Sequence, residues 1–152
     1  MNEKFLSRGK REDTGKWVEG YYVELPEDQH GKQLHIIIDL DGQYNRIIPE
    51  TAGRCVGLTD KNGKLMFEGD IVKAYLHNET KFTEKIEFRN GCFWFGNWNF
   101  IEFLDKFRNY EIIGNIHDNP NMLSRADMPV ANDVFQPVLQ PATPENFEIM
   151  NA

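Results

Sequence analysis

At 152 residues, 40% hydrophobic and 12% aromatic, the chain is long enough for one domain with a real core and too apolar for intrinsic disorder. A net charge of −7 opposes general binding to nucleic acid, whose affinity comes mostly from neutralising phosphates. No apolar run approaches the roughly 18 residues of a membrane span, and the polar start MNEKFLSRGKREDTGK has no apolar signal core, so a cytoplasmic protein is expected.

The charge is uneven. Residues 1–16 carry Lys4, Arg8, Lys10, Arg11 and Lys16 against three acids and read as a mildly basic arm. Strand signals follow from Trp17 to Ile116. KWVEGYYVEL alternates, placing Trp17, Tyr21, Val23 and Leu25 on one side, and stops at Pro26. Glu27 to Gln33 reads as a loop. LHIIIDLDGQYNRII is a β-branched run, an Asp41-Gly42 turn and a second short strand. Its inside-outside pattern is untidy, so the sequence leaves the register of the 34–48 hairpin open.

Asp60-Lys61-Asn62-Gly63 suits a type I turn, with Gly63 able to take the left-handed conformation of a bulge. A second corner, Glu68-Gly69-Asp70, follows closely and leads into the apolar Ile71-Val72. Two corners so near each other predict a small sheet bent strongly enough to close on itself. In KIEFRNGCFWF, a two-residue Asn90-Gly91 turn pairs Arg89 with Cys92, Phe88 with Phe93 and Ile86 with Phe95. Ile86, Phe88, Phe93 and Phe95 then share one apolar face, with Glu87 and Trp94 opposite each other on the other.

In NWNFIEFLDKF, Phe100, Phe103, Leu104 and Phe107 fall at helical spacing, which favours a short amphipathic helix near 99–107 over a strand. Asn99 followed by Glu102 fits the positions of a capping box. YEIIGNI returns to a strand with a bulge at Gly114, and HDNP closes it. From Ser124 the composition changes. Pro129, Pro137, Pro141 and Pro144 alternate with large apolar residues, predicting an extended arm that docks on its own domain or on a neighbour.

The segments RGKREDTGKWVEGYY, IPETAGRCVGLTDKNGKLMFEGDIVK and EIIGNIHDNP together resemble the YopX family of phage and prophage proteins, in order and spacing over about residues 5 to 123. The resemblance implies a phage or prophage origin in a bacterial host cell, a small β-rich fold and homo-oligomeric assembly. It supplies no catalytic residue. EGDIV also looks like the strand entry of SH3-like barrels, a fold-level analogy.

The expected fold is therefore mainly β (β-rich α+β): a small, strongly bent SH3-like barrel with one short helix. Residues 1–123 form one domain, with an N-terminal β segment at 1–50 and a barrel-like core at 51–123. Residues 124–152 are a proline-containing C-terminal arm.

Function is less legible. Asp39 and Asp41 lie close enough to share a cation, but turn formation explains them better, and no metal or cofactor is expected. Cys55 and Cys92 read as small apolar residues rather than a disulfide. A catalytic histidine needs a nucleophile or a metal beside it, and the sequence nominates no such partner for His117-Asp118, so an enzyme with an unrecognised site ranks third. The second reading is a nucleic-acid-binding accessory using Arg8, Lys10 and Arg11 near Trp17, Tyr21 and Tyr22. Trp17 and Tyr21 are expected to pack into the core, and the arginines to pair with Glu12, Asp13 or Glu50. The first reading is a non-catalytic binding or assembly module working as a homo-oligomer. Its expected contacts are Val134, Phe135, Val138, Leu139 and Phe147, with a phage or host protein as a further partner.

Overall fold

A computed structural model describes residues 5–123. The described residues hold eleven strands and one α-helix: β1 (Ser7–Lys10), β2 (Trp17–Leu25), β3 (Leu34–Asp39), β4 (Tyr44–Arg46), β5 (Gly53–Thr59) and β6 (Leu65–Phe67), then β7 (Asp70–Leu76), β8 (Lys81–Arg89), β9 (Cys92–Phe95), β10 (Trp98–Asn99), α1 (Phe100–Lys106) and β11 (Phe107–Asn115). They form two antiparallel sheets, ordered β4-β3-β2-β1-β5-β6 and β10-β9-β8-β7-β11. The mainly β expectation holds. The closed barrel does not: the strands form two separate sheets, and the chain passes from one to the other at Glu68-Gly69. Gly69 sits at φ +91°, a conformation that favours glycine.

The first sheet is nevertheless strongly curled. Beyond β4, the Ile48 N–H donates to the Lys10 carbonyl at 2.9 Å, and the Glu12 N–H to the Arg46 carbonyl at 3.0 Å. Gly9 makes that curl feasible, because a Cβ there would meet Ile47 Cδ1 at 2.6 Å. Ile37 and Ile47 fill the inside of the curl. The basic stretch is therefore no projecting arm. Ser7–Lys10 is an interior strand with β2 on one side and β5 on the other.

The open register of the 34–48 hairpin is resolved as Ile36 opposite Arg46, Ile37 opposite Asn45 and Ile38 opposite Tyr44. The turn is longer than an Asp41-Gly42 pair. It runs Asp39-Leu40-Asp41-Gly42, with the Asp39 N–H donating to the Gln43 carbonyl at 3.0 Å. The Asp39 carboxylate accepts from the Asp41 and Gln43 N–H groups at 3.0 and 2.9 Å. Asp60 repeats this pattern on the N–H groups of Asn62 and Lys64 at 2.9 and 3.0 Å. Asp28 repeats it on His30 and Lys32 at 2.7 and 2.9 Å. An aspartate whose side chain mimics a backbone acceptor, followed three residues later by a glycine at positive φ, is thus the repeated local device of this chain.

The Asn90-Gly91 hairpin has the register that its turn chemistry dictates, with Phe88 opposite Phe93 and Ile86 opposite Phe95. Over it lies α1, whose N-cap Asn99 accepts from the Ile101 and Glu102 N–H groups while Glu102 reaches back to the Asn99 N–H. The helix buries Phe103 against Phe95 and Phe107, with ring centroids 4.7 and 5.4 Å away. Truncating Phe103 to Ala removes about 3–5 kcal/mol of packing. Leu104 departs from the expected apolar face and is 47% exposed. The helix is a single short element over a concave sheet, so only its Phe103 side faces inward. Gly114 lies at a register shift in β11, as its sequence position suggests.

Candidate functional site

Arg8 projects from β1 and Asp70 from the first position of β7, one in each sheet. Their charged groups meet at 2.9 Å, with side chains 12% and 2% exposed. The Arg8 guanidinium also donates to the Glu68 carbonyl at 3.3 Å and lies between the rings of Trp17 and Phe67, 4.6 and 5.0 Å from their centroids. Asp70 further accepts from the Phe67 N–H at 2.7 Å. Burial nonetheless pushes the Asp70 carboxyl above its ordinary range, against the pull of Arg8 and of that N–H.

A second layer closes over this pair. Asp118 takes Lys10 Nζ at 2.5 Å and the Trp17 indole N–H at 2.7 Å. Asn115 Nδ2 adds a bond at 3.1 Å. These hydrogen bonds hold the Asp118 carboxyl well below the usual carboxylate range. His117, 5.8 Å from Trp17, is pushed down, first by burial and then by Arg8. Residues of three separated sequence segments therefore converge on one joint between the sheets. Most of its polar groups are engaged with one another, which fixes geometry; the buried Arg8 Nε is the exception and has no hydrogen-bond partner among the described residues.

Asp60 forms a second joint. Besides stapling its own turn, its Oδ2 accepts the Ile112 N–H of β11 at 2.9 Å. Burial opposes the Asp60 charge most strongly, yet the N–H groups of Ile112, Lys64 and Asn62 together hold its carboxyl below the ordinary value.

The three cations proposed for nucleic acid are all paired within the chain: Arg8 with Asp70, Lys10 with Asp118, and Arg11 with Asp13 at 2.8 Å. Of the carboxylates expected for the arginines, Asp13 takes Arg11, while Arg8 finds Asp70 in the other sheet, a partner that no local reading could supply. The Asp39 carboxylate serves its turn and also accepts from Asn45 Nδ2 at 3.1 Å. Cys55 is a buried thiol whose Sγ accepts the Gly57 N–H at 3.3 Å. Val134, Phe135, Val138, Leu139 and Phe147 lie outside the described residues.

What the sequence missed is an aromatic cleft. Phe5 from just before β1, Tyr21 and Tyr22 from β2 and Arg54 from β5 line, together with Phe88 and Phe93 of the second sheet, an open cleft of about 480 Å³. Phe5 is 68% exposed, Tyr21 39% and Tyr22 37%. Tyr21 was assigned to the core by its alternation with Trp17 and Val23. It shares their side of β2 but lines the open cleft instead. Arg54 lies over the Phe88 ring, 4.0 Å from its centroid, and Phe88 meets Phe93 edge-on at 5.0 Å. Phe88 and Phe93 were legible as a cross-strand pair, but nothing local says that Phe5 and Tyr21 stand opposite them. The cleft is mostly apolar, with Arg54 as the cation in its lining.

Among the described residues, no helix is long and apolar enough to cross a membrane. No curated protein matches the chain. A family model, described as YopX protein, matches residues 6–124.

Proposed function

We propose that this chain, which belongs to the YopX family, is a phage- or prophage-encoded, non-catalytic binding module that assembles with copies of itself through the aromatic cleft. The observation that carries the reading is the group of exposed rings of Phe5, Tyr21 and Tyr22 beside Arg54. Aromatic and arginine side chains are enriched where protein partners bury surface, and such anchors supply much of the binding energy. The surroundings support the same reading, because the joints at Arg8–Asp70 and Asp60–Ile112 hold the two walls of the cleft in fixed relation.

Sedimentation velocity on the purified chain tests this. The expected result is a mass that is a multiple of the chain's 17.7 kDa, falling to one chain in the double variant Phe5→Ser/Tyr21→Ser. Both side chains are exposed, so circular dichroism is expected to report an unchanged fold. A single-chain mass for the unaltered protein at tens of micromolar would overturn self-assembly.

A further inference from the structure

We propose that the aromatic cleft is the docking site for Pro141-Ala142-Thr143-Pro144 of this same chain, bound as a polyproline-II segment. The proposal rests on the cleft being a binding surface and names what fills it. Three observations support the choice of occupant.

The first is chemical. Residues 141–144 are a P-x-x-P stretch, with Pro137 preceding it. Grooves lined by aromatic rings take such segments because the extended helix is already formed, so little conformational entropy is lost on docking. Phe5, Tyr21, Tyr22, Phe88 and Phe93 supply the rings. A volume of about 480 Å³ has room for a few side chains and not for the whole region after Leu123.

The second is charge. Arg54 is the one basic residue lining the cleft; its Nε lies 3.8 Å from Glu68 Oε1, yet its side chain is 57% exposed. Glu145 directly follows Pro144, and residues 124–152 carry Asp127, Asp133, Glu145 and Glu148 against Arg125. An acidic segment matches Arg54 in sign.

The third is reach. The described chain ends in a 3-10 turn at Pro120–Leu123, which packs against β8, the strand that carries Phe88. From there, residues 124–140 extend to on the order of 50 Å at about 3.3 Å each. A domain of this size has a radius of gyration of only about 14 Å. The segment therefore reaches the cleft of its own chain and that of an adjoining copy.

The test uses the full chain with the photo-crosslinking residue benzoylphenylalanine in place of Ala142. After irradiation, peptide mapping is expected to find Ala142's position joined to peptides containing Phe5, Tyr21 and Tyr22, or Phe88 and Phe93. Hydrogen exchange of the Leu6–Ser7 and Tyr21–Tyr22 amides is expected to rise several-fold in the full-length variant Pro141→Ala/Pro144→Ala. Crosslinks confined to other surfaces, or exchange at those amides unaltered by the double substitution, would overturn the docking. Mixing isotopically light and heavy chains before irradiation separates contacts within one copy from contacts between copies. Crosslinks to the cleft in a protein that sediments as one chain keep this proposal and remove self-assembly. An oligomeric mass with no crosslink to the cleft does the reverse.

Discussion

Asp28, Asp39 and Asp60 close three turns with the same pair of side-chain bonds, yet only the Asp60 turn ties one sheet to the other. Asp28 and Asp39 lie at the rim, where water replaces whatever acceptor is lost. Asp60 is 5% exposed, and its second oxygen is spent on the Ile112 N–H of β11. The same contrast separates two ion pairs of one chemistry. Arg11–Asp13 is local and solvated, whereas Arg8–Asp70 is buried and spans both sheets. Depth, rather than local geometry, decides what each contact contributes, because a buried group that loses its partner has no water to turn to.

Breaking the deeper ion pair has the largest expected effect. Arg8→Met leaves Asp70 buried without its cation and costs about 3–5 kcal/mol, measured by urea denaturation at pH 7. Burial already raises the Asp70 carboxyl, and losing Arg8 raises it further. A group whose folded pKa is raised stabilises the fold while protonated and loses that contribution as pH rises through the folded value. The deficit of Arg8→Met relative to the unaltered protein is therefore expected to narrow as pH falls from 7 towards 4. A deficit that stays constant over that range would mean that Asp70 does not titrate as the buried pair predicts.

Asp60→Ala comes next, at about 2–3 kcal/mol, because it leaves three backbone donors without their acceptor, one of them on the opposite sheet. A smaller effect, of opposite sign, is expected in the Leu76–Thr80 turn. There the Leu76 N–H donates to the Thr80 carbonyl at 2.9 Å and Glu79 takes the place that glycine holds in the aspartate turns. At φ +72° Glu79 is strained, and Glu79→Gly is expected to stabilise by about 1 kcal/mol.

Asp118→Asn tests the outer layer of the joint. The carboxyl of Asp118 is held low, so its contribution is present above the ordinary carboxylate range and lost as pH falls through it. The asparagine variant is expected to show a shallower loss of thermal stability on acidification below about pH 4. Asp28→Ala is expected to leave the melting temperature unchanged within error. A loss there comparable to that of Asp60→Ala would break the contrast between rim and joint.

The sequence by itself determined what short-range chemistry can enforce. The Asn90-Gly91 register follows from the twist that the turn requires, and α1 follows from Asn99, Glu102 and the spacing of Phe100, Phe103 and Phe107. The Asp60 turn follows from a carboxylate and a glycine placed three residues apart. The same signal is present at Asp28 and, two residues before the expected Asp41, at Asp39. The pairing of Arg8 with Asp70, the exposure of Tyr21 and the place of Phe5 and Phe93 in one cleft were decided only by tertiary structure. Each depends on how two curled sheets are set against each other, and that setting comes from many weak contacts between residues distant in the chain, which carry no local sequence signature.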